Sequence, residues 1–190
     1  MTPEPAAGKP DWPEPAGGLQ RFYLGCPEPS WLRGEGVGWL DGSQGLALFV
    51  CHRRLARLRT LPRAGLPWAC DSGGFTELRA AGYWRVSAAD YTRAVARYDR
   101  EIGLLEWAAP MDWLCEPGIR ARTGLSIREH QDRTVGNYLL LRELWSRYSG
   151  DSCPFMPVIQ GWSIEDYLDR VSLYSAAGVG LPGRGVRRRR

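Results

Sequence analysis

Short apolar runs and longer amphipathic stretches alternate along the chain. Five runs stand out: residues 22–26, 46–50, 68–70, 107–111 and 155–159. None alternates apolar and polar positions cleanly, so each is predicted to be a strand covered on both faces. The third run ends in Asp71, the fourth in Asp112 and the fifth in Gln160-Gly161. Three helices are marked more sharply. Ser87, Ser126 and Ser163 are each followed three residues later by an acid, the pattern by which a helix start satisfies its free N–H groups. Apolar residues then recur at helical spacing: Tyr91, Val95, Tyr98 and Ile102; Val135, Tyr138, Leu141, Trp145 and Tyr148; Ile164, Tyr167, Leu168, Val171 and Tyr174. A short helix over 52–59 is predicted after the second run. The Gly-rich stretch 34–45 reads as a loop insertion.

Alternating strands and helices imply parallel pairing. The fold class is therefore α/β, with parallel strands and flanking helices. Both a barrel and an open doubly wound sheet fit five such units. The polar residues after several different strands favour a partial (β/α)8 TIM-type barrel, where chemistry is assembled from strand ends on one face. Residues 1–18, rich in Pro, Gly and Ala, read as a disordered leader, and 180–190 as a basic tail. The domain is predicted to occupy 19–179.

Composition narrows the picture. At 44% hydrophobic residues the chain has enough for a core. No run of about 18 apolar residues occurs, so no membrane span is expected. The net charge of +4 is concentrated at the end: without Arg187 to Arg190, 21 basic residues face 21 acidic ones. Charge thus lends little support to nucleic-acid binding by the folded part. The five cysteines are odd in number and form no C-x-x-C pair, which points to free thiols in a reducing, cytoplasmic setting. His52 and His130 have no ligand-spaced partners, so no metal and no cofactor are expected.

Three motifs can carry chemistry. Asp71-Ser72-Gly73-Gly74-Phe75 puts an acid at a strand end, followed by glycines that let the backbone turn and approach a ligand. A plain strand-to-loop turn capped by Asp71 is the alternative, and the second acid at a strand end shifts the balance. Asp112 stands after Pro110 at a rim, where it can hydrogen-bond a base or ionise near a reacting sugar, or simply cap a helix or pair with an Arg. Gln160 offers a donor and an acceptor suited to a purine edge, and Gly161 would let a flat ligand approach. Glu116 reads as a loop residue and His130 as a surface or capping residue. His52, Arg53, Arg54 and Arg57 could touch phosphates but read first as a solvated helix face. Trp113 and Trp162 are candidates for stacking on a base.

These motifs, in this order, resemble those of the tRNA-guanine transglycosylase superfamily: Asp71-Ser-Gly-Gly-Phe75, Met111-Asp112 and Val158-Ile-Gln-Gly161. The chain is most similar to the branch of deazapurine DNA modification (DpdA-like) proteins. The stretches Phe22-Tyr-Leu-Gly25, Val50-Cys-His-Arg-Arg-Leu55, Trp107-Ala-Ala-Pro110 and Glu129-His-Gln131 carry that likeness. The resemblance implies a barrel enzyme, a glycosyltransferase that replaces guanine by a 7-deazaguanine in a nucleic acid, DNA before tRNA. It implies the acid/base role for Asp71, and base binding for Asp112, Gln160 and Gly161 with Ser72, Gly73 and Gly74. The partners implied are nucleic acid and a 7-deazaguanine base.

Departures from the pattern accompany it. Thr76 stands where the tRNA enzymes have Gln, and their C-terminal zinc cysteines are absent. Their nucleophilic aspartate lies on a later strand than any predicted here. The tail reads as a frameshift or truncation, so reduced or absent activity is expected, with a homo-oligomer or a complementary fragment covering the open edge. Two other classes stay open. One is a barrel glycoside hydrolase using Asp71 and Asp112 as paired carboxylates; a Gln160 amide close to the pair would speak against it. The other is a non-catalytic remnant that binds nucleic acid or a partner.

Overall fold

Four of the five apolar runs form strands: β1 (Phe22–Cys26), β2 (Leu46–Cys51), β3 (Trp68–Asp71) and β4 (Leu105–Ala108). This is seen in a computed structural model, which describes residues 22–34, 46–148 and 153–180. The leader over 1–18, most of the Gly-rich stretch and the tail beyond 180 lie outside the described residues. The strands are all parallel and pair in chain order, β1-β2-β3-β4. That order lacks the reversal that marks a doubly wound sheet. The described residues form an open sheet of four strands with flanking helices.

Two strand expectations need correction. The fourth strand begins and ends earlier than its apolar run suggested, because Pro110 has no N–H to extend the ladder. Asp112 therefore lies four residues past the strand end, in an irregular segment. The fifth run forms no strand. It makes a single parallel bridge, Phe155 to Ala108, with the Ala108 N–H donating to the Pro154 carbonyl (2.9 Å) and Met156 N–H to the Ala108 carbonyl (3.1 Å). Pro154 and Pro157 lack donors on either side of that bridge, and the ladder stops there. The run still lies beside β4, where a fifth strand was expected.

Burial on both faces holds for the inner strands more than for the outer ones. Ala47, Leu48, Val50, Trp68, Ala69 and Cys70 are buried, whereas Phe22 and Glu106 on the outer strands are exposed. One face packs on the helices. There Leu48, Val50, Trp68, Cys70 and Leu105 form one core with Tyr91, Val95, Tyr98, Leu141 and Trp145. All five cysteines are free, and burial pushes the Cys51 and Cys115 thiols each up to about 11. No helix among the described residues is long and apolar enough to cross a membrane.

The helices are α1 (His52–Leu55), α2 (Gly74–Ala81), α3 (Ala88–Glu101), α4 (Pro117–Thr123), α5 (Ile127–Trp145) and α6 (Ile164–Ala176). A 3-10 helix, Pro29–Arg33, follows β1. The three Ser starts hold: Ser87, Ser126 and Ser163 each accept the N–H three residues on, and the last two complete the reciprocal bond from the acid. The helix α1 is a single turn and shorter than predicted. Two helices were not predicted. One, α2, starts inside the Gly73-Gly74 pair, and the other, α4, starts at Pro117. Each ends on a glycine at positive φ, Gly82 and Gly124.

On α5, Val135, Tyr138, Leu141 and Trp145 are buried as expected, but Tyr148 lies past the helix end and is exposed. On α6 the expected inner face holds only at Tyr174, which is buried. Ile164, Tyr167, Leu168 and Val171 are exposed, and Arg170 is buried beside Tyr174. The helix meets the body through one edge against α5. Its apolar side is left largely exposed.

Candidate active site

Parallel pairing puts the C-terminal ends of all strands on one edge, and the candidate residues gather there. Asp71 is the last residue of β3, in register with Cys51 of β2. Its Oδ1 accepts the Gly73 N–H at 3.2 Å, which folds the next residues back over the strand end. Gly73 has φ +81°, a conformation that side-chain-bearing residues rarely adopt. The helix α2 begins at Gly74, whose N–H donates to Ser72 Oγ at 3.4 Å.

Ser72 then reaches across to the next strand end. Its hydroxyl donates to Asp112 Oδ1 at 3.1 Å. From the other side Gln160 Nε2 donates to Asp112 Oδ2 at 2.6 Å. One carboxylate thus joins the Asp-Ser-Gly-Gly turn to the Gln160 turn. Burial pushes the Asp112 carboxyl up to about 6, against the opposing pull of the Ser72 and Gln160 hydrogen bonds; the nearby Asp71 charge adds to the rise. An acid tuned this way changes protonation close to neutral pH, as acid–base chemistry requires.

The two glycines of the turn have different reasons to be glycine. A Cβ on Gly73 would stand 3.0 Å from the Arg53 stem and 3.1 Å from Cys51 Sγ. A Cβ on Gly74 would stand 3.0 Å from both Asp112 Oδ1 and the Trp84 ring. Gly74 therefore lets the Asp112 carboxylate lie against the start of α2. Gly74→Ala should push Asp112 away from Ser72 and cost about 1–3 kcal/mol of stability. Urea denaturation of the variant checks this, and an unchanged midpoint would show that the contact yields freely. Gly161 has a different neighbour from the flat ligand expected. Its Cβ would meet Asp166 Cβ at 2.9 Å and the Tyr167 N at 3.1 Å, so the first turn of α6 fills that space.

The segment carrying Asp112 has no ladder to hold it, and helix side chains do so instead. Tyr91 donates its hydroxyl to the Ala109 carbonyl (2.8 Å), and Asn137 Nδ2 donates to the Met111 carbonyl (2.6 Å). Thr134 Oγ1 accepts the Trp113 N–H (2.8 Å). His130 is not a surface residue. It is fully buried, with Nδ1 2.6 Å from the Leu114 carbonyl and Nε2 2.7 Å from Thr123 Oγ1. The carbonyl only accepts, so Nδ1 carries the proton. Burial lowers the His130 pKa, which keeps that ring neutral.

His52 and Arg53 also depart from the solvated face expected of them. His52 is buried, hydrogen-bonded to the Tyr98 hydroxyl at 3.0 Å, and its pKa is lowered to about 4 by desolvation. Arg53 pairs with Glu77 at 3.2 Å beneath the Gly73 turn. Glu77 is buried and also takes a two-pronged bond from Arg85 (2.9 and 3.0 Å). The Arg85 bonds, more than anything else, hold the Glu77 pKa down. Reading the sequence did not find this Arg53–Glu77–Arg85 group. Its only signal was an acid one turn into an unpredicted helix.

Trp113 is buried, with the Arg133 guanidinium 4.5 Å over its ring, so it packs instead of presenting a face for stacking. Trp162 is exposed, and its backbone N–H donates to the Asp166 carboxylate at 2.9 Å. Glu116 precedes Pro117 as the residue that starts α4. A surface groove of about 390 Å³ runs beside the Asp112 segment, bounded by Tyr83, Trp84, Met111, Trp113 and Arg133. Among the described residues no group of His, Cys, Asp and Glu is placed to hold a metal ion.

Comparison with known proteins gives one finding. A family model described as DpdA, DeoxyPurine in DNA protein A, matches residues 19–186. No curated protein and no solved structure matches the chain.

Proposed function

Because the chain belongs to the DpdA (DeoxyPurine in DNA protein A) family, we propose that it acts on purine bases in DNA, replacing guanine by a 7-deazaguanine at the rim formed by Asp71, Asp112 and Gln160. The observation that carries this reading is the Asp112 carboxylate, bonded at once to Ser72 of the Asp-Ser-Gly-Gly turn and to the Gln160 amide. A carboxylate and an amide side by side offer acceptors and a donor that suit a guanine-type edge, which carries N–H donors and a carbonyl acceptor. In this reading the base enters between them and replaces their mutual bond with bonds of its own. The unit that does so spans residues 19–179, as one partial barrel.

Base exchange requires three things of the protein. The glycosidic bond to the departing base must break with its electron pair going to the base nitrogen, which must gain a proton. The incoming base must lose a proton as its nitrogen attacks the sugar. Water must be kept from the sugar carbon in between. Asp71 is assigned the proton shuttle, since it stands at the strand end next to the recognition pair and its turn is fixed by Gly73. Asp112 and Gln160 are assigned the recognition of the base, with Ser72, Gly73 and Gly74 shaping the floor beneath it. Gly161 serves that floor by letting α6 close up behind Gln160. The nucleophile is assigned to none of these residues. A duplex target must also be flipped out of the stack to reach the rim.

The hydrolase alternative weakens on this geometry, because the Gln160 amide bonds one oxygen of Asp112. The reading is tested by incubating the protein with 7-deazaguanine base and either DNA or tRNA, then digesting the nucleic acid and analysing nucleosides by mass spectrometry. The 7-deazaguanine nucleoside is expected in the DNA digest. Its appearance in tRNA alone would overturn the choice of DNA, and its absence from both would overturn base exchange.

A further inference from the structure

We infer that Gln131 is a positioning residue for base recognition: its buried amide sets the place of the Gln160 turn relative to Asp112. The inference rests on the reading of Asp112 and Gln160 as the base-recognition pair.

The backbone that carries Gln160 is poorly held by its own hydrogen bonds. After Met156 bonds to Ala108, the next backbone–backbone bond among the described residues is Tyr167 N–H to the Ser163 carbonyl, inside α6. Between them the chain is fixed by side chains. The Tyr174 hydroxyl donates to the Val158 carbonyl (3.0 Å), and the Asp166 carboxylate accepts the Trp162 and Ser163 N–H groups (2.9 and 2.7 Å). Gln131 reaches the backbone of Gln160. Its Nε2 donates to the Gln160 carbonyl at 3.1 Å and to the Asp166 carbonyl at 2.7 Å. A side-chain amide has two N–H groups, and both are used here, one on the Gln160 turn and one on the first turn of α6.

Gln131 is only 2% exposed, so its amide has no water to fall back on. The backbone carbonyl of Gln131 accepts a bond from the buried Arg170 guanidinium of α6, which ties the two helices at the same point. The neighbouring side chains of α5 hold the other half of the site. His130, Thr134 and Asn137 hold Leu114, Trp113 and Met111, the residues on either side of Asp112. One helix thus grips the Asp112 segment with one set of side chains and the Gln160 turn with the next residue along. The 2.6 Å contact between Asp112 and Gln160 is set by α5, although neither residue belongs to it. Asp112 and Gln160 touch the base in the proposed function, and Gln131 acts only through Gln160.

A purely structural Gln131 would behave differently from a positioning one. If it served only to tie α5 to α6, its loss would loosen both turns and lower every activity together. If it places Gln160, its loss should spoil base recognition selectively. The test uses the full chain with Gln131→Met, which keeps the length and removes the donors, and Gln131→Asn, which keeps the amide but falls short of Gln160. Equilibrium dialysis measures affinity for guanine and for 7-deazaguanine, filter binding measures affinity for DNA, and amide hydrogen exchange follows residues 157–163 and 109–115 separately.

We expect base affinity to fall roughly 10- to 100-fold in Gln131→Met and by less in Gln131→Asn. DNA affinity should be unchanged, with exchange speeding up over 157–163 and not over 109–115. Unchanged base affinity in folded Gln131→Met overturns the inference. So does a parallel loss of base affinity, DNA affinity and protection in both segments. Should Gln131→Met fail to fold, the same outcomes are read from Gln131→Asn. A wild-type chain that binds neither base overturns the functional reading, and this inference with it. A wild-type chain that binds both bases, with variants that bind them equally well, overturns this inference alone.

Discussion

Asp71→Asn is expected to lower base exchange by roughly 100- to 10,000-fold, the usual worth of a positioned proton shuttle, while DNA binding stays unchanged. The substitution is close to silent in shape. An Asn oxygen can still accept the Gly73 N–H that Asp71 Oδ1 accepts at 3.2 Å, so the turn into α2 should persist. What disappears is the ability to give and take a proton at the end of β3. The departing base then leaves without protonation and the incoming base attacks without deprotonation, and both barriers rise. Incorporation of labelled guanine into DNA, measured for both proteins at saturating enzyme, reads the effect directly. Turnover equal to wild type would remove Asp71 from its assigned role. A fall in DNA affinity of the same size as the fall in rate would make Asp71 a binding residue.

Asp112→Asn should separate stability from function. The folded carboxyl has its pKa raised to about 6, above the ordinary 3.8 of an aspartate, chiefly because burial disfavours its charge. The folded state therefore holds this proton more tightly than the unfolded state does. Above pH 6 both states are ionised, and the fold bears the full cost of a buried charge. As pH falls from about 6 to about 4, the folded chain takes up a proton that the unfolded chain does not, and stability rises. Below that window both are protonated and nothing further changes. The cost carried at neutral pH is on the order of 3 kcal/mol.

An Asn has no charge to bury, and it can still bond Ser72 and a rotated Gln160 amide. Asp112→Asn is thus expected to be more stable than wild type by about 1–3 kcal/mol at pH 8, with the difference closing near pH 4. Its affinity for the base should fall roughly 10- to 100-fold, as a charge-assisted bond is lost. Urea denaturation at several pH values, together with equilibrium dialysis of the base, tests both halves. A variant less stable than wild type at pH 8 would mean that the Ser72 and Gln160 bonds outweigh the cost of burying the charge.

The parts of this site that could be read from sequence were those written in local grammar. The strand before Asp71 is bounded by Pro67 and by Asp-Ser-Gly-Gly, and it falls where the run predicts. The three Ser-x-x-acid starts gave the helix beginnings because a cap is a short-range device. Parallel pairing put Asp71 at the strand-end edge, whereas Asp112 and Gln160 stand on irregular segments and are joined to it through Ser72.

What was missed depends on contacts far apart in the chain. The helix α2 was hidden because two glycines argue against a helix, and the reason for Gly74 lies in the Asp112 carboxylate, far along the chain. His130 sits between Glu129 and Gln131 and reads as surface. Yet His130, Thr134 and Asn137 recur at helical spacing, and this polar stripe was the one sign that α5 turns hydrogen-bonding groups inward. The apolar face of α6 misled in the opposite sense. Its spacing is correct for a core face, but Ile164, Leu168 and Val171 are left exposed. Periodicity tells which face is apolar, and only the surrounding elements tell whether that face is covered.

The central claim is that Asp112 and Gln160 together recognise a purine-type base. Equilibrium dialysis of labelled 7-deazaguanine against the full chain, wild type beside Asp112→Ala and Gln160→Ala, tests it most directly. The account predicts saturable binding by wild type at one base per chain, strongly weakened in each variant while both remain folded. Binding that survives both substitutions, or a folded wild-type chain that binds no base, would contradict it.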